Sequence, residues 1–280
     1  MRISYFFTFP LLLSLASSGE CQTVGQSNGD GFFGGWFKRV DRALATQPHW
    51  LAPVFTATPR LEEMFVYDIS RQNTAKGDLT SFGGSKGLLL IPAEHITIVI
   101  TPPSYFAHES RTIHDGFGDT SFVLKYRLAA SNEEHANYVV TAFLGASIPT
   151  GSYTNGTRDA VVTPTIGFGK GWGNFEVQST VGVGIPVGDV DRLGTPVLYN
   201  TAFQYRVTKK LWPELEVNAT FLPNGPKAGN KQVFLTPGLM VGKFHLWRRL
   251  GFAVGGGIQI AATHFHTYNH NALLTVRFPF

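Results

Sequence analysis

Two histidine-containing stretches carry the side chains that metal binding or hydrolysis would need. His264, His266 and His270 lie in or beside the last predicted loop, and side chains two residues apart on an extended chain point the same way, as shared metal ligands must. No carboxylate stands close to them in sequence, so we predict neither a metal site nor a cofactor. Residues 108–110 (His-Glu-Ser) place a nucleophile near a base, but catalytic groups are recognised by their geometry.

A more extensive polar set alternates with apolar residues along residues 174–188, which read NFEVQSTVGVGIPVG. Apart from Ser179, every second residue from Phe175 to Val187 is hydrophobic, whereas the residues between them are polar or lack bulk. Successive side chains of a strand point to opposite faces of its sheet. The pattern therefore predicts a strand with one face toward hydrocarbon and the other toward water.

The same alternation, followed along the other strands, predicts which side chains face the inside of a barrel. The predicted lumen-lining residues, which would form the path of a solute, are Asp68, Lys125, Arg127, Phe143, Glu176, Gln178, Gln204, Arg206, Glu214, Glu216, Phe234 and Arg277. Charges of both signs on facing strands favour ion pairs and hydrogen bonds over a strongly charge-selective pore. Each charged side chain either stiffens the barrel or contacts a solute, and the two phenylalanines could suit an aromatic or lipid-like cargo.

Alternating runs recur over residues 62–280 and set the predicted fold class, all-β. We count about twelve strands, many near the roughly ten residues that a tilted strand needs to cross a bilayer. Short turns are predicted near Ala93, Ser131, Gly171, Lys209 and Trp247, and longer loops over residues 72–85, 103–117, 151–159, 189–195, 224–230 and 264–270. Because outer-membrane barrels have short periplasmic turns and long outer loops, we predict a transmembrane antiparallel β-barrel.

The N-terminal part of the chain has a different character. Residues 1–21 read as a signal peptide, with a basic start, a short apolar stretch and small residues before a cleavage site between about residues 18 and 22. Residues 22–61 are predicted to form a periplasmic arm, or else a plug that enters the barrel. A short helix is predicted over Trp36–Ala45, with Phe37, Val40 and Leu44 on one face.

The last strand ends on an alternating apolar row. Leu274, Val276, Phe278 and Phe280 occupy every second position to the final residue, and a terminal aromatic on such a strand resembles the assembly signal of outer-membrane barrels. A hydrophobic edge of this kind in a soluble sheet would favour aggregation. We therefore predict that the row faces lipid and is recognised by the barrel-assembly machinery.

Three tryptophans stand next to predicted short turns. Trp172, Trp212 and Trp247 occupy these positions, and outer-membrane barrels carry girdles of aromatic residues at both membrane interfaces. We therefore predict that all three point outward and have a structural role.

Composition agrees with a membrane barrel and excludes several other classes. The chain has 31 glycines, 13% aromatic residues and 15% charged residues, a charged fraction well below the roughly 25% of soluble domains. The net charge of +4 is spread along the chain, so we predict no binding to nucleic acid. Cys21 is the one cysteine, which excludes a disulfide within the chain.

Three stretches carry a more specific pattern. Residues 116–128 read GFGDTSFVLKYRL, residues 145–153 read GASIPTGSY, and residues 182–189 read GVGIPVGD. The first looks like the G-x-G-D-x-x-x-x-x-K-Y-R-L strand of the meta-pathway phenol-degradation family of outer-membrane proteins. The other two resemble that family's strand that ends in a Pro-Thr-Gly hairpin tip. The resemblance covers residues 61–280 and implies a channel or transporter, with no catalytic motif to carry across.

These observations together predict an outer-membrane channel of a Gram-negative bacterium, not an enzyme. Side chains fill the interior of an eight-stranded barrel, whereas a barrel of sixteen strands encloses an aqueous pore. A barrel of about twelve strands should therefore have a narrow lumen. The predicted partners are outer-membrane lipid, the assembly machinery and small, hydrophobic or aromatic solutes. A barrel-embedded enzyme that modifies lipids and a structural or adhesive barrel are the alternatives.

Overall fold

The computed structural model describes residues 34–84, 86–110 and 112–280. The signal peptide predicted over residues 1–21 lies outside the described residues. The chain divides into the units Met1–Gly35 and Trp36–Phe280, and every element below belongs to the second unit. Within the described residues, no helix has the length and apolar character needed to span a bilayer.

The described fold consists of strands, with two short helices. The helices are α1 (Trp36–Ala45) and α2 (Val190–Leu193). The strand segments are β1 (Met64–Thr74), β2 (Gly77–Phe82), β3 (Gly87–Ala93), β4 (Ile96–Thr101), β5 (Tyr105–His108), β6 (Gly116–Phe117), β7 (Thr120–Ser131), β8 (Tyr138–Ile148), β9 (Val161–Trp172), β10 (Phe175–Val183), β11 (Ile185–Pro186), β12 (Val197–Tyr205), β13 (Leu211–Phe221), β14 (Lys231–Trp247), β15 (Leu250–Ala261) and β16 (His270–Pro279).

These segments form a closed barrel. Sequential neighbours pair antiparallel around the sheet, and β1 pairs with β16 to close it. Four pairs of segments each share one barrel position, namely β2 with β3, β4 with β5, β6 with β7, and β10 with β11. The described chain is therefore a closed 12-strand antiparallel β-barrel, which confirms the predicted fold class.

Side-chain alternation sorts the strand residues into an inner and an outer face. On β8, Val139, Thr141 and Phe143 are buried inside the barrel, whereas Leu144 on the outer face is 51% exposed. Closure also pairs the backbone groups of every strand, which a lipid environment requires. The outer rows together form an apolar belt around the barrel.

Two of the predicted long loops are wrong for part of their length. Residues 72–85 contain the end of β1 and all of β2, which form a hairpin, and residues 103–117 contain β5 and β6. The barrel is therefore extended on this side. Gly83 and Gly84 lie between β2 and β3, and Gly87 begins β3. Their φ angles are 75°, 83° and 67°, a left-handed conformation that favours glycine.

The five predicted short turns are confirmed. They connect β3 to β4, β7 to β8, β9 to β10, β12 to β13 and β14 to β15, all at one end of the barrel. β1 begins and β16 ends at the same end. We call this the periplasmic end because short turns mark the periplasmic side of outer-membrane barrels, and the opposite end the extracellular end.

α1 has the predicted bounds, and two of the three residues of the predicted apolar face are packed inside. Val40 and Ala43 are buried in a cluster that includes Ile91 of β3, and Leu44 packs against it. Phe37, the third residue of the predicted face, is 48% exposed. Its ring lies 4.6 Å from the guanidinium carbon of Arg249, so a cation rather than the core covers it.

Residues 47–61, here called the inner segment, run inside the barrel between α1 and β1. The segment contains no helix or strand, yet Trp50, Val54 and Leu61 on it are almost fully buried. Buried backbone without secondary structure needs other hydrogen-bond partners. The side chains of the barrel wall supply them.

Candidate functional site

The predicted lining residues lie inside the barrel with one exception. Arg206 stands just beyond the end of β12, in a periplasmic turn, and its guanidinium donates to Asn174 Oδ1 at 2.9 Å. The residues that are at most 7% exposed and face inward are Asp68, Lys125, Arg127, Phe143, Glu176, Gln178, Gln204, Glu214, Glu216, Phe234 and Arg277. Strand parity therefore places the side chains as expected. Arg206 lies one residue beyond the end of β12, and its guanidinium carbon is 5.7 Å from the ring centre of Trp212.

Two carboxylates on β13 bind the backbone of the inner segment. Glu214 Oε1 accepts from the amide of Val54 at 2.8 Å. Glu216 uses both oxygens, which accept from the amides of Phe55 at 2.7 Å and Thr56 at 2.6 Å. The two side chains point the same way because they are two residues apart on one strand. Three consecutive N–H groups are thus satisfied by charged acceptors.

Cations of the wall bind the carbonyl groups on the same stretch. Arg277 donates to the carbonyls of Ala52 and Pro53, the latter at 2.6 Å. Lys86 donates to Pro53 O at 2.8 Å and to Val54 O at 3.1 Å. Glu214 and Glu216 therefore bind amides of the inner segment, whereas Arg277 and Lys86 bind its carbonyl groups.

Further along the segment, Lys125 and Thr141 hold its returning half. Lys125 Nζ donates to Thr58 O at 3.0 Å, and Thr141 Oγ1 donates to Pro59 O at 2.5 Å. At the entrance, Gln47 exchanges hydrogen bonds of 2.8 and 2.9 Å with the backbone of Leu61. The segment therefore enters and leaves the barrel at the periplasmic end.

A chain of amide side chains connects this segment to the carboxylates. Thr58 Oγ1 donates to Gln178 at 2.6 Å, and Gln178 Nε2 donates to Gln204 at 2.9 Å. Gln204 Nε2 then donates to Glu214 at 2.7 Å. Gln178 also donates to Glu176 at 3.1 Å, which has no bond to the inner segment among the described residues. Such networks fix side-chain positions when every member is satisfied.

On the periplasmic side of these charged residues, an apolar layer closes the lumen. Trp50 and Leu51 of the inner segment pack against Val139, Trp212 and Met240 of the wall. The predicted outward position of Trp212 is wrong, because its side chain is 5% exposed and lies inside. Trp212 has the same parity on β13 as the inward residues Glu214 and Glu216. This parity could have predicted its inward position. Trp172 and Trp247 are exposed on the outer surface as predicted.

α1 covers the periplasmic opening and is held there by polar contacts. Arg249 in the β14–β15 turn pairs with Asp41 at 2.5 Å, and Arg42 pairs with Glu94 at 3.0 Å. The hydrogen bond from Arg249 lowers the pKa of Asp41 below its ordinary value. The helix thereby anchors the start of the inner segment.

The remaining space lies on either side of the inner segment. Two cavities of about 300 and 460 Å³ lie in the extracellular half of the lumen, and Ala57 and Asn200 line both. A cavity of about 390 Å³ lies at the periplasmic end and is lined by Arg60 and Lys243. The inner segment thus separates the extracellular cavities from the periplasmic one.

Several residues of this site were not among the predicted lining. Lys86 follows a glycine turn, where strand parity cannot be counted, so no sequence pattern could have identified it. Asn218 and Gln259 share the inward parity of Glu216 and Ala253 and could have been found. Asp68, which was predicted, is 3% exposed, and neither carboxylate oxygen has a hydrogen-bond partner among the described residues.

The two predicted aromatic lining residues each contact another side chain. The Lys125 ammonium lies 5.2 Å from the centre of the Phe143 ring. Phe234 stacks on Tyr268, with ring centres 4.4 Å apart and planes inclined by 13°. One face of each ring is therefore engaged within the protein.

The histidine stretches do not assemble a reactive centre. His108 Nε2 lies 2.7 Å from Asn155 Oδ1, and Ser110 Oγ lies 3.2 Å from Thr112 Oγ1. Each of the two side chains is therefore engaged elsewhere. His266 places its ring nitrogens near Thr263 O and Asn269 Oδ1. Within residues 34–84, 86–110 and 112–280, no three side chains form a group that could hold a metal ion.

Solved structures share this architecture. An outer-membrane channel from Pseudomonas putida F1 aligns with a TM-score of 0.53 and 16% identity, over 82% of this chain and 98% of that chain. The KdgM porin aligns with a TM-score of 0.48 and 9% identity, over 77% and 99% of the two chains. Outer-membrane phospholipase A from Escherichia coli gives 0.40 and 10%, over 79% and 97%. At 16% identity, the likeness to the Pseudomonas putida channel shows the fold alone.

No family model and no curated protein matches the sequence. The resemblance to the meta-pathway phenol-degradation family therefore stays a prediction.

Proposed function

We propose that the protein is an outer-membrane channel for small solutes, closed by its own inner segment. One observation carries the proposal: five charged side chains of the wall bind the backbone of residues 52–58 rather than one another, namely Lys86, Lys125, Glu214, Glu216 and Arg277. A barrel that needed only a stable interior could be filled with apolar side chains, which stabilise as well as buried ion pairs do. A polar wall around a segment without secondary structure suits a passage that is filled reversibly.

Water can replace the contacts that hold the inner segment. Its amides and carbonyls bind side chains of the wall, so withdrawal breaks no strand pairing of the barrel. The extracellular cavities already reach Ala57 at the tip of the segment. A twelve-stranded barrel is intermediate between an eight-stranded barrel, whose interior is filled by side chains, and a sixteen-stranded barrel, which encloses a wide pore. An emptied lumen would therefore pass small solutes only.

The location follows from the same proposal. The apolar belt would contact outer-membrane lipid, and the outward residues Leu274, Val276 and Phe278 with Phe280 would present the assembly signal to the barrel-assembly machinery. The Pseudomonas putida structure with this fold is called an outer-membrane channel, and we extend that role to this chain.

Hydrophobic or aromatic solutes are a finer hypothesis for the cargo. It rests on Phe143, which lines the cavity of about 300 Å³, and on Phe234. If the hypothesis holds, a Phe143→Ala, Phe234→Ala double variant takes up phenol more slowly than the wild type. Unchanged uptake would contradict it.

Flux through purified protein in liposomes tests the channel directly. Liposomes that contain the wild type should swell slowly, and liposomes that contain a variant lacking residues 36–61 should swell fast. The swelling rate is measured with a panel of small hydrophilic and aromatic solutes. The shift of the folded barrel on unboiled gels controls for folding of the variant. A folded deletion variant that passes no solute would contradict the proposal and favour a structural or adhesive barrel. Release of fatty acid from the liposomes would favour the enzyme alternative.

A further inference from the structure

The larger extracellular cavity has a lining that differs from the charged layer beneath it. It measures about 460 Å³, and the tip of the inner segment, Val54 to Ala57, contributes to its floor. Lys86 is the charged residue among its described lining, and the Lys86 ammonium is already bonded to two backbone carbonyls. The other polar residues of this lining are neutral.

Those neutral groups are mainly carboxamides. They belong to five strands of the wall, and the amide-bearing lining residues are Gln72, Asn200, Asn218, Gln259 and Asn271. A carboxamide presents a donor and an acceptor side by side. A hydroxyl group also donates and accepts, so a hydroxyl-rich solute can match such a lining, whereas a cation finds no counter-charge among these lining residues.

The amides are held in place by a continuous hydrogen-bonded chain. Asn218 donates to Asn200 at 3.1 Å, and Gln259 donates to Asn218 at 2.9 Å. Tyr268 donates to the Gln259 carbonyl oxygen, and its ring is stacked on Phe234. A preorganised set of polar groups lowers the cost of ordering on binding.

One polar atom of this lining is left without a partner. Asn271 is 4% exposed, and its Oδ1 accepts no hydrogen bond among the described residues. A buried acceptor without a donor costs free energy. Because Oδ1 is itself buried, a solute hydroxyl would satisfy it only after the Asn271 side chain rotates toward the cavity. Phe55 and Leu273 supply apolar lining for the carbon skeleton.

We infer that this cavity binds a neutral, polyhydroxylated solute of the sugar class before it passes the inner segment. The inference rests on the proposed channel, because the solute would reach the cavity through the extracellular opening. The inference names a class of solute for the proposed channel. The hydrogen-bonded amides, rather than Phe143, would recognise that solute.

Equilibrium binding in detergent micelles tests the site without any flux. Saturation-transfer NMR with glucose and maltose should show binding to the wild type, and phenol under the same conditions should bind more weakly. Tyr268→Phe removes one hydroxyl and keeps the stacked ring, and Asn218→Leu removes the centre of the amide chain. Each should weaken maltose binding about fivefold or more, the effect of losing one hydrogen bond.

Thr163→Val is the matched control, because Thr163 lines the other extracellular cavity and not this one. Its maltose affinity should equal that of the wild type. Absent sugar binding, or binding that neither Tyr268→Phe nor Asn218→Leu weakens, would overturn the inference. Swelling assays separate the two proposals: sugar binding without flux contradicts the channel alone, and flux without binding contradicts this site alone.

Discussion

At the residue scale, the central feature is a set of charged side chains that bind peptide groups. Glu216 accepts from two consecutive amides of the inner segment and Glu214 from a third. A hydrogen bond to a charged group contributes about 1.5–3 kcal/mol, and removing one partner leaves the other buried and unsatisfied. The carboxylates therefore hold the segment more firmly than its lack of secondary structure suggests.

Glu216→Gln tests this at one residue. The amide can accept through one oxygen only, and its NH₂ group faces a backbone N–H, so the segment should loosen by about 2 kcal/mol. Hydrogen exchange of the Phe55 and Thr56 amides should then accelerate about 30-fold, as measured by mass spectrometry of purified protein in micelles.

Glu176→Gln provides the control for that experiment. Glu176 lies on the same charged layer and accepts from Gln178 rather than from the inner segment. The variant makes the same chemical change, so exchange at Phe55 and Thr56 should stay as in the wild type. Equal acceleration in both variants would show that loss of lumen charge, not the loss of particular bonds, loosens the segment.

At the scale of elements, α1 and the inner segment act together. The helix is tied to the turns of β3–β4 and β14–β15, and the inner segment begins two residues after it ends. Helix contacts made outside the lumen therefore oppose movement of the segment within it. The ion pairs involved are exposed, so each contributes less than about 1 kcal/mol.

Acid should release part of this attachment. The hydrogen bond from Arg249 lowers the pKa of Asp41 from its ordinary 3.8. A lowered pKa in the folded state gives stability that is present above the ordinary value and is lost as pH falls through the lowered one. Exchange of the α1 amides should therefore accelerate below pH 3.8 beyond the intrinsic rate.

Asp41→Asn should remove that acid response while Glu94 and Glu63, which also contact α1, remain. The difference between the two proteins isolates Asp41. Asp189→Asn, a change in the opposite, extracellular part of the molecule, should respond as the wild type does. An Asp41→Asn protein with the full acid response would contradict the role given to this pair.

At the scale of the whole molecule, the barrel separates an apolar outer belt from a polar lumen. An arginine on the lipid face costs about 2–4 kcal/mol at the bilayer midplane and about 0–1 kcal/mol near the interface. Leu144→Arg, near the middle of β8, should therefore lower the free energy of unfolding from vesicles by about 2–4 kcal/mol. Urea titrations of protein refolded into vesicles measure this.

Tyr138→Arg is the depth control, since Tyr138 faces outward at the periplasmic end of the same strand. Its effect should stay below about 1 kcal/mol. Equal effects at both positions would be inconsistent with the position given to β8 in the bilayer.

Strand parity made most of the barrel predictable. Alternation is local, so Leu144 and Thr141 could be assigned to opposite faces from the sequence. Trp212 shows that parity outweighs residue type, because Glu214 and Glu216, which share its parity on β13, also face inward. Arg206 lies just beyond the end of β12, and this could not be predicted because the end of a strand is not marked in the alternating pattern.

The inner segment could not be predicted in the same way. Residues 47–61 have no periodicity, and their position depends on partners far away in sequence, such as Glu214 for Val54. The sequence therefore favoured a periplasmic arm and left a plug inside the barrel as the alternative. Contacts between such distant residues exist only once the barrel has closed.

Single-channel conductance in planar bilayers tests most directly whether the inner segment closes the channel. The wild type should stay closed for most of the recording, and a Glu214→Gln, Glu216→Gln double variant should raise the open fraction about tenfold or more, since each 1.4 kcal/mol of loosening shifts the equilibrium tenfold. Glu176→Gln should behave as the wild type does. A steadily open wild type, or a double variant that conducts no more than it, would contradict the account.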